Sequence, residues 1–157
     1  MSRRIKPGDM KVADVQHFLV EEPTVIVAGE KIDELLGKII ADPRTRHVYV
    51  ADEAGVLIGT VRMNRIVQYL FPFAAMVEQG SELSIGNMAN FNVKLVEDIM
   101  DERPKFVKSS TTLVDMATIL MQEKNNELPV VDENMRITGQ INIYAVIMAY
   151  LKETREK

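Results

Sequence analysis

The chain has 157 residues, 46% of them apolar, a net charge of -4 and no cysteine. That is enough apolar material for a real core, but the longest unbroken apolar run, residues 143–151, is half the roughly 18 residues a membrane span requires. Disulfides, zinc–thiolate sites and thiol catalysis are excluded, and the acidic balance with scattered basic residues argues against nucleic acid as a partner and against a membrane. Basic residues gather only at Arg3, Arg4 and Lys6 and at Arg44 with Arg46. The N-terminal stretch carries no apolar export segment, so the expected compartment is the cytoplasm.

From residue 10 onward one order of elements runs twice. Val12 and Val15 mark a short helical lead-in. Val25, Ile26 and Val27 follow Pro23 and predict a strand. Ile32, Leu35, Leu36, Ile39 and Ile40 then stand at i, i+3, i+4, i+7 and i+8, one face of a helix, with Gly29 as start signal and Pro43 beyond the end. Residues 47–51 and 56–61 are β-branched runs around the polar turn 52–55 and predict a hairpin. Met63, Ile66, Val67 and Leu70 predict a second helix.

The second passage repeats the first. Its lead-in is residues 96–100, its strand 104–108, and its helix carries Leu113, Met116, Ala117, Leu120 and Met121 after the start signal Ser110 and Thr111. A hairpin of 128–131 and 137–141 around residues 132–136 follows, then a helix with Ile143, Val146, Ile147 and Tyr150. The offset is 81 between Pro23 and Pro104 and between Val48 and Pro129, which are set against each other, and 80 between Asp52 and Asp132 and between Gly59 and Gly139. Pro129 is expected at a strand start or edge, where a missing N–H costs nothing. The ten methionines read as core filler, because Met63, Met116 and Met121 fall on helix-periodic positions.

The expected organisation is therefore mixed α/β (α+β): two pseudo-symmetric β-α-β-β-α repeats, 10–71 and 95–152, packed as one compact module, neither half stable alone. They are joined by a linker, 72–94, too apolar for disorder and expected to pack as a short helix and loop. Two copies of one unit leave a cleft between them as a natural ligand site.

The lead-in 96–100, the strand Leu128 to Asp132 and the stretch from Gly55 to Val61 entering a helix resemble the CBS domain, and residues 10 to 152 resemble a tandem CBS pair, or Bateman module. The resemblance implies a disc-shaped homodimer made through helical faces, adenosine-containing ligands (AMP, ADP, ATP or another adenosyl compound) in clefts between repeats, and regulation of an effector protein in trans. It also implies a Gly-x-x-Ser/Thr-x-x-Asp motif, whose hydroxyl contacts phosphate or ribose and whose Asp accepts the ribose hydroxyls. Here the first repeat has Gly59, Arg62 and Arg65 at those places, and the second has Gly139, Asn142 and Ala145. The ribose carboxylate is missing from both.

Arg65 at a helix start is disfavoured by the macrodipole unless an anion is near. With Arg46, His47 and Arg62 it makes an anion-biased first-repeat site, against Glu127, Leu128, Asn142 and Ala145 in the second. The candidate ligand-binding residues are Thr24, Val25, Arg46, His47, Val48, Arg62 and Arg65 in the first repeat and Lys105, Phe106, Pro129 and Asn142 in the second. The alternative is that these arginines are solvated or paired on the surface. The acidic pairs Glu21–Glu22, Glu97–Asp98 and Asp101–Glu102 read as solvated; a magnesium-sensing role rests on the resemblance alone. His17 and His47 lack ligand-like spacing, and no phosphate loop, serine elbow or metalloprotease helix is present, so neither a metal site nor catalysis is expected. The functional expectation is a non-enzymatic sensor of a small anionic metabolite, most simply an adenine nucleotide, with a ligand-free interaction module as the competing reading.

Overall fold

The computed structural model describes residues 6–15, 22–71 and 93–155. The helix and loop expected for the linker therefore fall mostly outside the described residues. The described chain forms α1 (Val12–Val15), β1 (Val25–Val27), α2 (Ile32–Ala41), β2 (His47–Ala51), β3 (Leu57–Arg62), α3 (Met63–Leu70), β4 (Val107–Lys108), α4 (Leu113–Glu123), β5 (Glu127–Val131), β6 (Ile137–Asn142) and α5 (Ile143–Arg155). Single 3-10 turns lie at Pro7–Asp9 and Val96–Asp98. Two three-stranded sheets result, ordered β1-β2-β3 and β4-β5-β6, each with one parallel and one antiparallel pair.

Each repeat's core is completed by the lead-in that precedes the other repeat. One compact unit is Thr24–Pro104; the second is Lys105–Lys157 with the described part of Met1–Pro23. Val96 and Ile99 pack with Ile26, Ile32, Leu35, Val48, Val50, Val61 and Ile66. Val12 and Val15 pack in the same way with Val107, Leu113, Met116, Leu120, Leu128 and Ile141. The backbone repeats the exchange: Ile32 N–H donates to Lys94 O at 3.2 Å and Leu113 N–H donates to Met10 O at 2.7 Å. Both lead-ins are tied by an Asp that accepts backbone N–H groups, Asp14 from Lys11 and Asp98 from Lys94 and Leu95.

The sheet register corrects two equivalences read from the sequence. Val48 pairs with Val61 and Leu128 with Ile141, while Tyr49 pairs with Thr60 and Pro129 with Gln140. Val48 therefore matches Leu128, not Pro129, and Arg46 and His47 match Asn126 and Glu127. The residue lost between repeats falls before β5, so the offset is already 80 there. Pro129 is also not at a strand start or edge: it is the third residue of the central strand β5. In the first repeat the matching Tyr49 N–H donates to Thr24 O at 2.9 Å. Proline cannot make that bond, and β4 accordingly pairs only from Val107 onward.

Both hairpins turn on an Asp whose Oδ1 accepts two backbone N–H groups, Asp52 from Ala54 and Val56, Asp132 from Asn134 and Arg136. The helix starts lie slightly later than expected. Gly29 is a left-handed turn residue, and the caps are Lys31 and Thr112, the latter accepting Asp115 N–H at 3.2 Å. The apolar stripes also run out earlier than their spacing suggests: Ile40 and Met121 are 79% and 81% exposed. Residue i+8 is rotated by about 80° from residue i, so a stripe that begins in the core leaves it within two turns. Met121 is thus not core filler, whereas Met116 is fully buried.

The turn position at Gly55 (φ 84°) is occupied by Met135 (φ 63°) in the second hairpin. A side chain in the left-handed region is strained by about 1–2 kcal/mol, of which glycine's extra chain entropy returns part. Met135→Gly is expected to raise stability by roughly 0.5–1 kcal/mol, read as a higher urea midpoint at unchanged slope.

Candidate functional site

Strand β3 runs into α3 without a loop, so Arg62 is both the last strand residue and the helix cap (φ -88°, ψ 154°). A guanidinium has donors only, and Arg62 makes no side-chain cap bond to the helix N–H groups. The first turn of α3 contains no acidic residue. In the second repeat the matching residue is Asn142, whose Oδ1 accepts Tyr144 N–H at 3.0 Å. One helix start is therefore capped by its own Asn142, while Arg62 caps none of the N–H groups of the other.

His47 lies directly across the ladder from Arg62, and Glu127 lies across from Asn142. Strand alternation puts His47, Tyr49, Thr60 and Arg62 on one face of the first sheet, and Glu127, Pro129, Gln140 and Asn142 on the matching face of the second. Glu127 is buried and accepts Gln140 Nε2–H at 2.8 Å. The first face thus carries a guanidinium where the second has a neutral amide, and the second a carboxylate where the first has an imidazole.

A cavity of about 310 Å³ opens at the β3–α3 junction, lined by Thr60, Arg62, Asn64, Arg65, Met100 and Asp101. Arg65 donates from Nε to Ile99 O at 3.3 Å and from Nη1 to Gln68 Oε1 at 3.1 Å. Both acceptors are neutral, so neither bond cancels its charge, and among the described residues three of its five N–H donors take no other bond. Glycine at position 59 lets the lead-in approach: a Cβ there would lie 2.5 Å from Met100 Sδ and 3.0 Å from Asp101 O. A larger hollow of about 540 Å³ lies at the start of α2, lined by Lys31, Asp33, Tyr69, Lys94 and Asp98 among others, and includes none of the predicted residues.

Of the predicted residues, only Arg62 and Arg65 line the smaller cavity, with His47 as the cross-strand neighbour of Arg62. Arg46 is exposed just before β2. Thr24 Oγ1 shares a hydrogen bond with Thr45 Oγ1 at 2.9 Å, Val25 opens β1, and Val48 is fully buried, which leaves only its backbone for a ligand. Lys105 and Phe106 precede β4, exposed and half-buried respectively. Sequence reasoning missed Thr60, Asn64, Met100 and Asp101. It also read the acidic pairs as merely solvated, but Glu97 Oε1 accepts Gly29 N–H and Asp98 caps its own lead-in. Among the described residues no group of three or more metal-ligating side chains occurs, and no helix is long and apolar enough to cross a membrane.

The CBS domain family model matches residues 96–152. The CBS domain-containing protein CBSX1, chloroplastic, of Arabidopsis thaliana is 38% identical over 147 residues, 86% of this chain and 62% of its own length. Residues 96–152 thus match the CBS domain, and the chain spans less than two thirds of that curated relative. The crystal structure of a CBS domain-containing protein from Thermotoga maritima matches with a TM-score of 0.71 at 28% identity, covering 91% of this chain and 95% of that one. CBSX2, solved in complex with AMP, matches with a TM-score of 0.66 at 23% identity over 93% of this chain and 99% of that one, a likeness of fold. The two sheets and their helices are those of a CBS domain pair.

Backbone N–H groups of Leu95 and Lys94 hold the Asp98 carboxyl below its usual pKa. A lowered folded pKa stabilises the fold above the unfolded value near 4, and this is lost as pH falls through the folded value. Asp98→Asn keeps an acceptor but no charge. It is expected to unfold at lower urea than the parent at pH 7, with the gap closing below about pH 4.

Proposed function

We propose that this CBS pair is a non-enzymatic regulatory module whose first-repeat site takes a small anionic adenosine ligand, AMP foremost, and which signals its occupancy to a protein partner in trans. The observation that carries the reading is the unlike treatment of two equivalent helix starts. At α3 the cap is Arg62, whose side chain bonds none of the first-turn N–H groups, and Arg65 stands one turn on; at α5 Asn142 caps Tyr144 N–H, beside a buried Glu127. Helix N–H groups with two guanidiniums suit a phosphate, and a neutral amide cap with a carboxylate does not. The AMP bound by CBSX2 supports the choice of nucleotide.

Calorimetry on AMP, ADP, ATP, S-adenosylmethionine, Mg²⁺ and inorganic phosphate tests the reading, with one phosphate-preferring site per chain expected. Arg65→Ala should weaken AMP about ten- to a hundredfold, the loss of a charge-assisted hydrogen bond, and parent affinity should fall as salt rises. A parent that binds nothing in the panel makes the ligand-free interaction module the better account. Binding of Mg²⁺ alone favours ion sensing.

Dimerisation through helical faces belongs to the same proposal. Helix α5 leaves Tyr144, Ile147, Met148, Tyr150 and Leu151 exposed, and α3 leaves Val67 and Leu70, with Phe71 just beyond. That much apolar surface marks an interaction site, and a second copy of the chain is the proposed cover. Ile147→Glu is expected to sediment as a monomer with unchanged helical circular dichroism, while the parent sediments as a dimer at micromolar concentration.

A further inference from the structure

We propose that Asp101 is the ribose acceptor of the first-repeat site, a carboxylate delivered by the second lead-in to replace the one that Arg65 displaces from the helix start. This rests on the nucleotide reading above and specifies what the site selects. A ribose presents two adjacent hydroxyls, which call for an acceptor, and a carboxylate is the strongest that a side chain offers. The helix start has none: the first turn of α3 holds no acid. Among the residues lining the cavity, Asp101 is the one acid, and it stands with Arg62 and Arg65.

Its position is fixed by backbone. Asp101 N–H donates to Thr60 O at 2.7 Å, and Thr60 N–H donates to Asp101 O at 3.1 Å. This bridge ties Asp101 to the strand that carries Arg62 two residues later, and the missing Cβ at Gly59 makes room for it. Arg103 N–H donates to Asp101 Oδ1 at 2.9 Å, and among the described residues Oδ2 takes no bond. Asp101 lines one cavity with Arg62 and Arg65, and the bonds that Arg65 makes go to Ile99 O and Gln68 Oε1. A cavity of about 310 Å³ lies at the small end of ligand sites, the scale of a mononucleotide. Guanidiniums for the phosphate and one carboxylate for the hydroxyls describe a nucleoside monophosphate with an intact ribose.

The test is calorimetric titration of the full chain with AMP, 2′,3′-dideoxyadenosine monophosphate and inorganic phosphate. The parent should bind AMP about tenfold or more tighter than the dideoxy compound, and Asp101→Ala should remove that preference, so that the two compounds bind alike. Arg65→Ala should instead weaken both nucleotides by the same factor. The side-chain change leaves the backbone bridge intact; if Asp101→Ala nonetheless fails to fold, Asp101→Asn makes the same comparison. A parent indifferent to the hydroxyls overturns the proposal while the nucleotide site stands. So does an Asp101 variant that weakens both nucleotides equally, or one that tightens AMP. A parent that binds neither nucleotide overturns the site itself, and Asp101's role with it.

Discussion

The exchanged lead-in is the contact on which both units depend. Each sheet and its helices leave an apolar gap at the start of the first long helix, and two side chains from the other repeat's lead-in fill it: Val96 and Ile99 in one, Val12 and Val15 in the other. Full burial of such side chains contributes about 1.5–3 kcal/mol each, a large share of a small domain's net stability. Because the gap is filled by residues that precede the other repeat in sequence, a repeat cut out as a contiguous stretch loses part of its core. The same exchange carries Met100 and Asp101 onto β3, so the packing that completes the core also builds one wall of the candidate site.

On this nearly symmetric backbone the side chains have diverged in one direction. Equivalent positions hold Tyr49 and Pro129, His47 and Glu127, Thr60 and Gln140, Arg62 and Asn142, Arg65 and Ala145. These replacements convert a basic site end into one that is acidic and hydrogen-bonded to itself, without changing strand register or the bulge that each hairpin carries at the same place. Backbone hydrogen bonding and core-facing residues such as Val48, Leu128, Val61 and Ile141 preserve the frame. The opposite face of the same strands is then free to specialise, since alternation along a strand separates the two tasks.

Secondary structure was legible because it follows from local periodicity. The two Asp turns and the strand-to-helix passages at Arg62 and Asn142 stand where the residue pattern puts them, and α2 and α4 form over their apolar stripes, although each stripe leaves the core before its last residue. What misled was counting through a loop: one lost residue before β5 shifted the match of Val48 by one, and with it the partners of Arg46 and His47. Only hydrogen-bond register resolves such a slip, because a run of β-branched residues aligns almost equally well at neighbouring offsets.

By itself the sequence determined a two-repeat α/β chain with the wrong residue type for a ribose acceptor at both motif positions, and a cluster of arginines in one repeat only. Tertiary structure alone decided which lead-in serves which repeat, that Asn142 caps its own helix while Arg62 does not, and that Asp101 stands beside Arg62 and Arg65. The reason is range. Helix stripes and turns are written within a few residues, whereas Asp101 reaches Thr60 across about forty residues, through a backbone bridge that any residue but proline could make and that leaves no mark in the sequence except a glycine at position 59.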